Sequence, residues 1–248
     1  MAATERDLGE SFSRYFEVVP ALDEATRDQI YRVRHDVYCR DLGWEPERPD
    51  GRETDSFDGQ SVHCLLRSAV NGEPVGCTRL ILADADPTHE LPVEESCRDT
   101  LDRTLLDPRA LPRQQVGEVS RLAVVKAYRQ RKGESETPGG VSEDDFQPRG
   151  ALSRFPFIPV GLYMGAAAIA QRLGREYVLV LTEPRLGQHF SRIGFDIQRI
   201  GGPIEHRGQR EPSLLRTSKV IAGLRPLIRP IWDRVEASIA AAYAKAGG

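Results

Sequence analysis

Apolar residues recur at two different spacings along the chain, and these spacings predict both helices and strands. After Asp23, which suits the N-cap position of a helix, Ile30, Val33, Val37 and Tyr38 follow at helical spacing. Four other apolar runs have the length and residue types of strands; they lie at residues 61–70, 74–83, 117–125 and 176–182. The last run is apolar almost throughout, which is typical of a strand covered on both faces of its sheet.

Turn and cap residues divide the rest of the chain into further elements. Asn71 and Gly72 separate the first two predicted strands and favour a tight hairpin between them. Residues 159–173 predict a buried helix, with Pro159 at its start and Gly174 just past its end. A short helix at 184–194, a strand at 195–201 and a mainly helical tail from Leu224 to Ala246 complete the prediction.

The predicted order is helix, hairpin, strand, helix, strand, helix and strand. This order corresponds to a mixed α/β sheet with an antiparallel first half and a β-α-β crossover in the second half. No clear linker divides the chain into two domains. We therefore expect one domain over residues 1–220, with residues 221–248 forming a helical extension packed on it.

Composition narrows the class of protein. The 248 residues are 40% hydrophobic, enough for a sizeable core, and the net charge of −3 gives no bulk electrostatic reason to bind nucleic acid. No apolar run reaches the roughly 18 residues of a membrane span, and the N-terminus lacks the apolar core of a signal peptide. The four cysteines have no C-x-x-C spacing, so we expect reduced, mostly buried thiols in a cytoplasmic protein, and no metal site.

Charged residues inside the predicted strands are the first indication of a functional site. Arg79, Glu118 and Arg121 interrupt otherwise apolar runs. Charges are rarely buried unless they are paired or used chemically. A structural network of ion pairs beneath the first helix and a catalytic site would each explain these residues, and the pattern alone leaves both open.

The segment between the first helix and the first hairpin adds a cation, two aromatic residues and two carboxylates. These residues are Arg34, Tyr38, Trp44, Asp55 and Asp58. Taken singly they have ordinary explanations: a solvated arginine, a core or lid tryptophan, and two aspartates that form turns. The loop after Trp44 is rich in Pro, Gly and Glu and has few apolar residues to fix it. We expect it to be mobile in the free protein and ordered by a bound substrate.

Together these residues resemble the motif of the acyl-homoserine-lactone synthases, a branch of the GNAT-type acyltransferase fold. That motif has an Arg, an aromatic residue four positions later, a Trp six further on, an Asp eleven further on and an Asp after three more. Every gap is kept here, by Arg34, Tyr38, Trp44, Asp55 and Asp58. The synthases then have an Arg on a strand and Glu-x-x-Arg on a later strand, which Arg79, Glu118 and Arg121 match in order. The aromatic residue is usually Phe in the synthases, so Tyr38 is a mild departure.

A closer resemblance is to the PEP-CTERM/exosortase-associated acyltransferases, which are related to N-acyl amino acid synthases. It rests on "QIYRVRHDVYCRDLGW" and "EVSRLAVVKAYRQR" and covers roughly residues 10 to 220. The resemblance implies a GNAT-like fold, a mixed central sheet flanked by helices, here with extra C-terminal helices. It also implies transfer of a fatty acyl group from acyl carrier protein to an amine, such as that of an amino acid.

Roles for the strand residues follow from this chemistry. The amine must lose a proton before it attacks, and Glu118 is the candidate base, acting directly or through a water. Arg121 would hold the network around Glu118, which requires a β-bulge because residues i and i+3 of a regular strand face opposite sides. Backbone N–H groups at Leu122, Ala123 and Val124 would bind the oxyanion and the pantetheine arm.

The segment from Arg34 to Asp58, which includes Tyr38, would form the acceptor side of the cleft. An amino acid carries a carboxylate, which Arg34 or Arg79 could pair, and an ammonium group, which Asp55 or Asp58 could pair. A further residue, Trp44, would cover the site and exclude water from the thioester.

The donor side resembles the family less closely. The pyrophosphate-binding pattern of coenzyme A enzymes is present at Gln130 and Gly133, but Ser135 replaces the last small residue. This departure favours an acyl-phosphopantetheine thioester on acyl carrier protein as co-substrate, with no permanently bound cofactor. A basic run suits the acidic surface of a carrier protein, or is a solvated face; it comprises Lys126, Arg129, Arg131 and Lys132, with Arg149 and Arg154 further on.

Two other functions remain open on the sequence. One is an acyl-homoserine-lactone synthase that uses S-adenosylmethionine, since the motif is shared. The other is a catalytically idle module that binds acyl chains or docks on exosortase-pathway proteins. The intact pair of Glu118 and Arg121 speaks against an idle module.

Overall fold

A computed structural model describes residues 8–129 and 156–247. The helices are α1 (Leu8–Tyr15), α2 (Glu24–Arg34), α3 (Pro92–Ser96), α4 (Phe157–Arg172), α5 (Pro184–Ile193), α6 (Thr217–Gly223) and α7 (Arg229–Ala246). The strands are β1 (Phe16–Pro20), β2 (Ser61–Ser68), β3 (Pro74–Leu82), β4 (Val116–Val124), β5 (Tyr177–Thr182), β6 (Ile197–Arg199), β7 (Ile204–Glu205) and β8 (Gln209–Arg216).

One mixed sheet organises these elements in the order β1-β2-β3-β4-β5-β8-β6, with β7 paired to β8. Strands β4 and β5 are parallel and α4 connects them, whereas the other paired strands run antiparallel. The predicted antiparallel first half and β-α-β crossover are therefore confirmed.

Most predicted elements are present, with informative differences. The first helix does not continue uniformly: α2 ends at Arg34, and a π-helical segment, His35–Asp41, follows it. The hairpin forms between β2 and β3, where Gly72 adopts φ +74°, a conformation that glycine tolerates without a Cβ clash. The sequence did not predict α1, α3, α6, β1, β7 or β8. These elements are short or, like "QREPSLLR" of β8, lack a regular apolar alternation.

The two faces of the sheet have different covers. Helices α1, α4 and α7 pack on one face in the largest apolar core, while α2 and α3 cover the other. The C-terminal tail contributes Ile231, Trp232, Val235 and Ile239 to the large core, whereas the division at residue 220 stays a prediction. All four cysteines are buried and free.

Strands β4 and β5 separate partway along their length. Their parallel register runs from Val116 opposite Tyr177 to Val119 opposite Val180 and then ends. Strand β4 continues to Val124 paired with β3 alone. The β5-facing edge of residues 120–124 therefore has no strand partner within the described residues, and a cleft opens where the two strands part.

No helix in residues 8–129 and 156–247 is long and apolar enough to cross a membrane. The polar stretch that predicted a mobile loop, residues 133–150, lies outside the described residues.

Candidate active site

Three arginines and three carboxylates form one ion-pair network beneath α2. The arginines are Arg34, Arg79 and Arg121; the carboxylates are Glu53, Asp55 and Asp58. Helix α2 supplies the first arginine, β3 the second and β4 the third, while the loop before β2 supplies the acids. The structural network that the sequence left open is therefore present, and it includes five predicted site residues.

Arg34 is enclosed at the centre of the network. Its Nε lies 2.5 Å from Glu53 Oε2, its Nη1 lies 2.6 Å from Asp58 Oδ1, and its side chain is 0% exposed. Glu53 is itself buried. A guanidinium with this burial and these partners cannot meet an acceptor carboxylate directly, so the direct role expected for Arg34 is corrected to a supporting one.

Arg79 is equally enclosed and fixes both aspartates. Its Nη1 donates to Asp55 Oδ1 at 2.6 Å and to Asp58 Oδ1 at 2.7 Å, and its Nη2 donates to Asp55 Oδ2 at 2.8 Å. Its Nε donates to the Ser120 hydroxyl across the strand pair. The direct carboxylate contact expected of Arg79 is therefore also replaced by a positioning role.

The charges set the protonation of the aspartates. Burial alone would raise the pKa of Asp55, but the hydrogen bond and charge of Arg79, with the charges of Arg121 and Arg34, lower it to about 2. The pKa of Asp58 is likewise lowered, because the hydrogen bond and charge of Arg34 outweigh its burial. Both groups are carboxylates at neutral pH.

A β-bulge places Arg121 in this network. Cys77 pairs with Ala123 and Arg79 with Ser120, so two residues of β4 lie opposite one residue of β3. Arg121 takes φ +54°, which non-glycine residues seldom adopt. A bulge is therefore present, but its extra residue lies at 121–122 rather than between Glu118 and Arg121 as predicted.

The side chain of Arg121 lies at the partly exposed edge of the network. Its Nη2 lies 2.9 Å from Asp55 Oδ2 and 3.4 Å from Glu53 Oε1. The side chains of Arg121 and Asp55 are each 23% exposed, in contrast to 0% for Arg34. They form the part of the network that a small polar molecule can reach.

Glu118 lies three residues before Arg121 on β4, in a position that is more shielded from solvent. It is 3% exposed, and its Oε2 accepts a hydrogen bond from the Val93 N–H of α3 at 2.9 Å. Burial raises the pKa of Glu118 to about 8. Arg121 forms its ion pairs with the loop carboxylates rather than with Glu118, so the expected role of Arg121 in ordering Glu118 is not supported.

Two aromatic side chains join the network to the edge of β4. The Tyr38 hydroxyl donates to the Leu122 carbonyl at 2.8 Å, and its ring stacks on Trp44 with centroids 6.0 Å apart. The backbone N–H of Trp44 in turn donates to the Tyr38 carbonyl at 2.7 Å. Trp44 is partly buried and packs against the core beneath α2, and its role as a cover of the site stays a prediction.

Polar contacts fix the loop after Trp44. The Glu53 N–H bonds the Tyr31 carbonyl, and the Arg48 N–H donates to His35 Nε2 at 3.1 Å. The loop therefore has anchoring polar contacts, although it has few apolar residues.

The predicted backbone donors lie where β4 leaves β5. Leu122 is partly exposed, while Ala123 and Val124 are buried and pair with β3. Side chains of Tyr38 and Arg129 bond the carbonyls of Leu122 and Val124 respectively. On the α4 face, a small apolar cavity of about 30 Å³ lies next to the end of the strand pairing. Its lining includes Val119, Tyr163, Val180 and Phe190.

The basic run is only partly available for docking. Lys126 is exposed, but Arg129 is 3% exposed and bonds the Val124 carbonyl at 2.7 Å and Asp41 Oδ2 at 2.6 Å. The docking role expected for Arg129 is corrected, because its guanidinium is buried inside the protein. Arg131 and Lys132, with Arg149 and Arg154, lie outside the described residues.

Sequence reasoning missed two buried members of the site. Glu53 lies two residues before Asp55 in a polar loop. The only sequence signal for it is that Asp55 and Asp58 cannot balance the charges of three arginines. His63 on β2 is 1% exposed, and its Nε2 lies 3.6 Å from Asp58 Oδ1. Burial lowers the pKa of His63 to about 4, so its imidazole is neutral beside the arginines.

Comparison with known proteins agrees with this architecture. Residues 33–137 match the acetyltransferase (GNAT) domain family. An acyl-homoserine-lactone synthase from Aeromonas salmonicida is 32% identical over 175 residues, which are 70% of this chain and 70% of that protein.

Two solved structures share the fold. The CoA-dependent acyl-homoserine lactone synthase BjaI, with SAM and isopentyl-CoA, has a TM-score of 0.57 and 20% identity, covering 92% of this chain and 99% of that one. FeeM, an N-acyl amino acid synthase from uncultured soil microbes, has a TM-score of 0.53 and 14% identity, covering 84% and 94%. The protein is an acyltransferase of GNAT-like fold, and the chain belongs to the acyl-homoserine-lactone synthase family.

Proposed function

We propose that this acyltransferase moves a fatty acyl group from an acyl carrier protein thioester to the amine of an amino acid or a related small amine. The observation that carries the proposal is the partly exposed pair of Arg121 and Asp55, 2.9 Å apart at the edge of a buried charge network. One cation beside one carboxylate complements a zwitterionic acceptor.

The acceptor would bind by exchanging partners with this pair. Its carboxylate would meet Arg121 and its ammonium group Asp55, replacing one charge-assisted contact by two. Arg34 and Arg79 hold the far side of the carboxylates, so Asp55 stays fixed while its outer oxygen changes partner. This arrangement keeps the buried charges paired throughout, which avoids the cost of leaving a buried charge without a partner.

Glu118 is the proposed base for the acceptor amine, acting directly or through a water. A carboxyl with a pKa of about 8 exists in both protonation states near neutral pH, which suits proton transfer. Attack by the amine forms the C–N bond and a tetrahedral intermediate with a new negative charge on the former thioester oxygen. Collapse of this intermediate breaks the C–S bond, and the proton taken by Glu118 passes to the departing phosphopantetheine thiolate. N–H groups alternate between the two edges of a strand, so the proposed donors are those of residues 122–124 that point away from β3, towards the edge that lacks a strand partner within the described residues.

The acyl chain would enter the apolar cavity beyond the strand separation. A volume of about 30 Å³ accommodates no long chain unless lining side chains move. The aromatic pair of Tyr163 and Phe190, with centroids 4.4 Å apart, forms part of that lining. The phosphopantetheine arm would follow the edge of β4, and Lys126 would contribute to docking with Arg131 and Lys132. Because the related BjaI is CoA-dependent, an acyl-CoA is the alternative donor.

A second candidate is an acyl-homoserine-lactone synthase that uses S-adenosylmethionine. The 32% identity to the Aeromonas salmonicida synthase favours it. S-adenosylmethionine also carries an α-amino group and a carboxylate, so it would use the same pair of Arg121 and Asp55. The association with PEP-CTERM/exosortase systems and the cytoplasmic location stay predictions.

Mass spectrometry of lipid extracts from an expressing host separates the candidates. An N-acyl amino acid supports the proposal, an acyl-homoserine lactone supports the second candidate, and an unchanged extract contradicts both. Purified protein with matched acyl carrier protein and acyl-CoA thioesters then identifies the donor.

We expect Arg121→Ala to raise the KM for the acceptor about tenfold or more, because it removes a charge-assisted contact of roughly 1.5–3 kcal/mol. Steady-state kinetics with varied acceptor and saturating thioester measure the effect. Arg103→Ala, which removes an exposed pair with Asp107, is the control and should leave the KM unchanged. An unchanged acceptor KM in Arg121→Ala would place the acceptor carboxylate elsewhere.

A further inference from the structure

The turn between β7 and β8 reaches across the cleft to the segment that carries Trp44. Arg207, at this turn, donates from Nη2 to Glu45 Oε1 at 2.6 Å and to the Trp44 carbonyl at 3.2 Å. Its guanidinium carbon lies 5.3 Å from the centroid of the Trp44 ring. One side chain thus makes an ion pair, a backbone hydrogen bond and a cation–π contact with two consecutive residues.

Trp44 is consequently held from two sides. Tyr38 stacks on its ring from the protein interior, and the Tyr38 hydroxyl bonds the bulged strand at Leu122. Arg207 contacts it from the turn, which is more than 160 residues away in the chain. A continuous set of contacts therefore joins the β7–β8 turn to the edge of β4.

The backbone of this turn has a positive φ at two consecutive residues, Arg207 and Gly208, as tight hairpin turns require. Arg207 has φ +54°, a region that non-glycine residues seldom adopt. The His206 N–H bonds the Gly208 carbonyl, and the Gly208 N–H bonds Glu205 Oε1 at 2.9 Å. These two hydrogen bonds fix the position of Arg207 at the tip of the hairpin.

Glu45 links the turn to the acceptor pair. Its Oε1 lies 2.6 Å from Arg207 and 3.9 Å from Arg121. One carboxylate thus lies between two cations, and the shorter contact is to the turn. Without Arg207, Glu45 would be free to move onto Arg121 and compete with an incoming carboxylate.

From these contacts we infer that Arg207 is a positioning residue of the acceptor site, which holds Trp44 over the site and keeps Glu45 away from Arg121. The inference rests on the proposed acceptor site. It adds a residue on a distant turn that neither contacts the acceptor nor takes part in proton transfer.

The position of Trp44 can be measured without any substrate. Acrylamide quenching of tryptophan fluorescence should increase in Arg207→Ala, because Trp44 loses its outer contact while Trp232, at 5% exposure, stays shielded. Arg199→Ala, which removes an exposed pair with Glu211 on neighbouring strands, is the control and should quench like the wild type. Arg207→Lys retains the charge near Glu45, so its quenching should lie between that of Arg207→Ala and that of the wild type.

The same variants then test the effect on the reaction. In Arg207→Ala we expect the acceptor KM to rise about tenfold and kcat to change less than twofold, with more thioester hydrolysed per acyl group transferred. Arg207→Lys should recover part of the acceptor KM, and Arg199→Ala should match the wild type.

The outcomes separate this inference from the proposed function. Unchanged quenching in Arg207→Ala overturns the inference whatever the acceptor is. Increased quenching with unchanged acceptor KM and unchanged hydrolysis overturns the positioning role. A wild-type enzyme that acylates no amino-acid-type acceptor overturns the proposed function by itself, and the acceptor-site inference then falls with it, even if the contact to Trp44 is confirmed.

Discussion

Glu118→Gln is expected to lower the acyl-transfer rate by about 100-fold or more while the protein stays folded, which is the usual size of a lost general base. The amide oxygen can still accept the hydrogen bond from the Val93 N–H, so the substitution removes the base without removing this buried contact. Single-turnover kinetics with a preloaded thioester measure the chemical step. Glu95→Gln, an exposed carboxylate on the same helix as Val93, is the control.

The pH dependence gives the prediction a second readout. With a pKa of about 8, Glu118 is the active base only as the pH rises towards 8 and above, so the wild-type rate should climb through this range. In Glu118→Gln this contribution should disappear, and any remaining rise belongs to the acceptor amine. Wild-type turnover in Glu118→Gln would mean that Glu118 is structural.

The free energy of unfolding should fall over the pH range in which the reaction rate rises. The folded protein binds the Glu118 proton more tightly than the unfolded chain does, so unfolding releases it between about pH 4.5 and 8. This group therefore lowers the free energy of unfolding as the pH rises through that range, by about 1.4 kcal/mol for each pH unit at most. Glu118→Gln should lose this dependence and become more stable than the wild type at pH 8, as measured by urea unfolding.

The sequence predicted the sheet because its central strands are apolar and well bounded. The hairpin with Asn71 and Gly72 and the run at 176–182 are local patterns, and the structure has both. Strand β8 was not predicted, although it pairs with β5 over six residues, because Pro212 and the charges of "QREP" hide its pattern. Its position is decided by tertiary pairing, which no local pattern records.

The site was predictable in its membership but less so in its contacts. Spacing and resemblance identified five of the six residues of the charge network. Which of them are enclosed depends on distances between three elements, and sequence reasoning therefore assigned to Arg34 a direct role that its burial prevents. Glu53 was missed because nothing local distinguishes it from the other acids of its loop, and Arg207 because its partners are distant in the chain.

Arg34→Ala is expected to lower the free energy of unfolding by roughly 3–5 kcal/mol, the usual effect of removing one partner from a buried ion pair. Glu53 and Asp58 would then keep their negative charges in a buried setting with less compensation. Urea unfolding at neutral pH measures the loss. Arg52→Ala removes an exposed pair with Asp28 from the same loop and helix, and its unfolding midpoint should match the wild type.

Two further variants separate charge from packing. Arg34→Lys retains the positive charge but cannot contact Glu53 and Asp58 with a planar fork, so its stability should lie between Arg34→Ala and the wild type. Arg34→Met combined with Glu53→Gln leaves Arg79 and Arg121 with the two carboxylates Asp55 and Asp58, so the buried charges balance and part of the loss should be recovered. If Arg34→Ala unfolds at the wild-type midpoint, solvent screens the network and Arg34 is not its structural centre. If Arg34→Ala is too unstable to purify, the Lys and Met variants still decide: equal stability of Arg34→Lys and the wild type would show that charge alone, without the bidentate geometry, holds the network together.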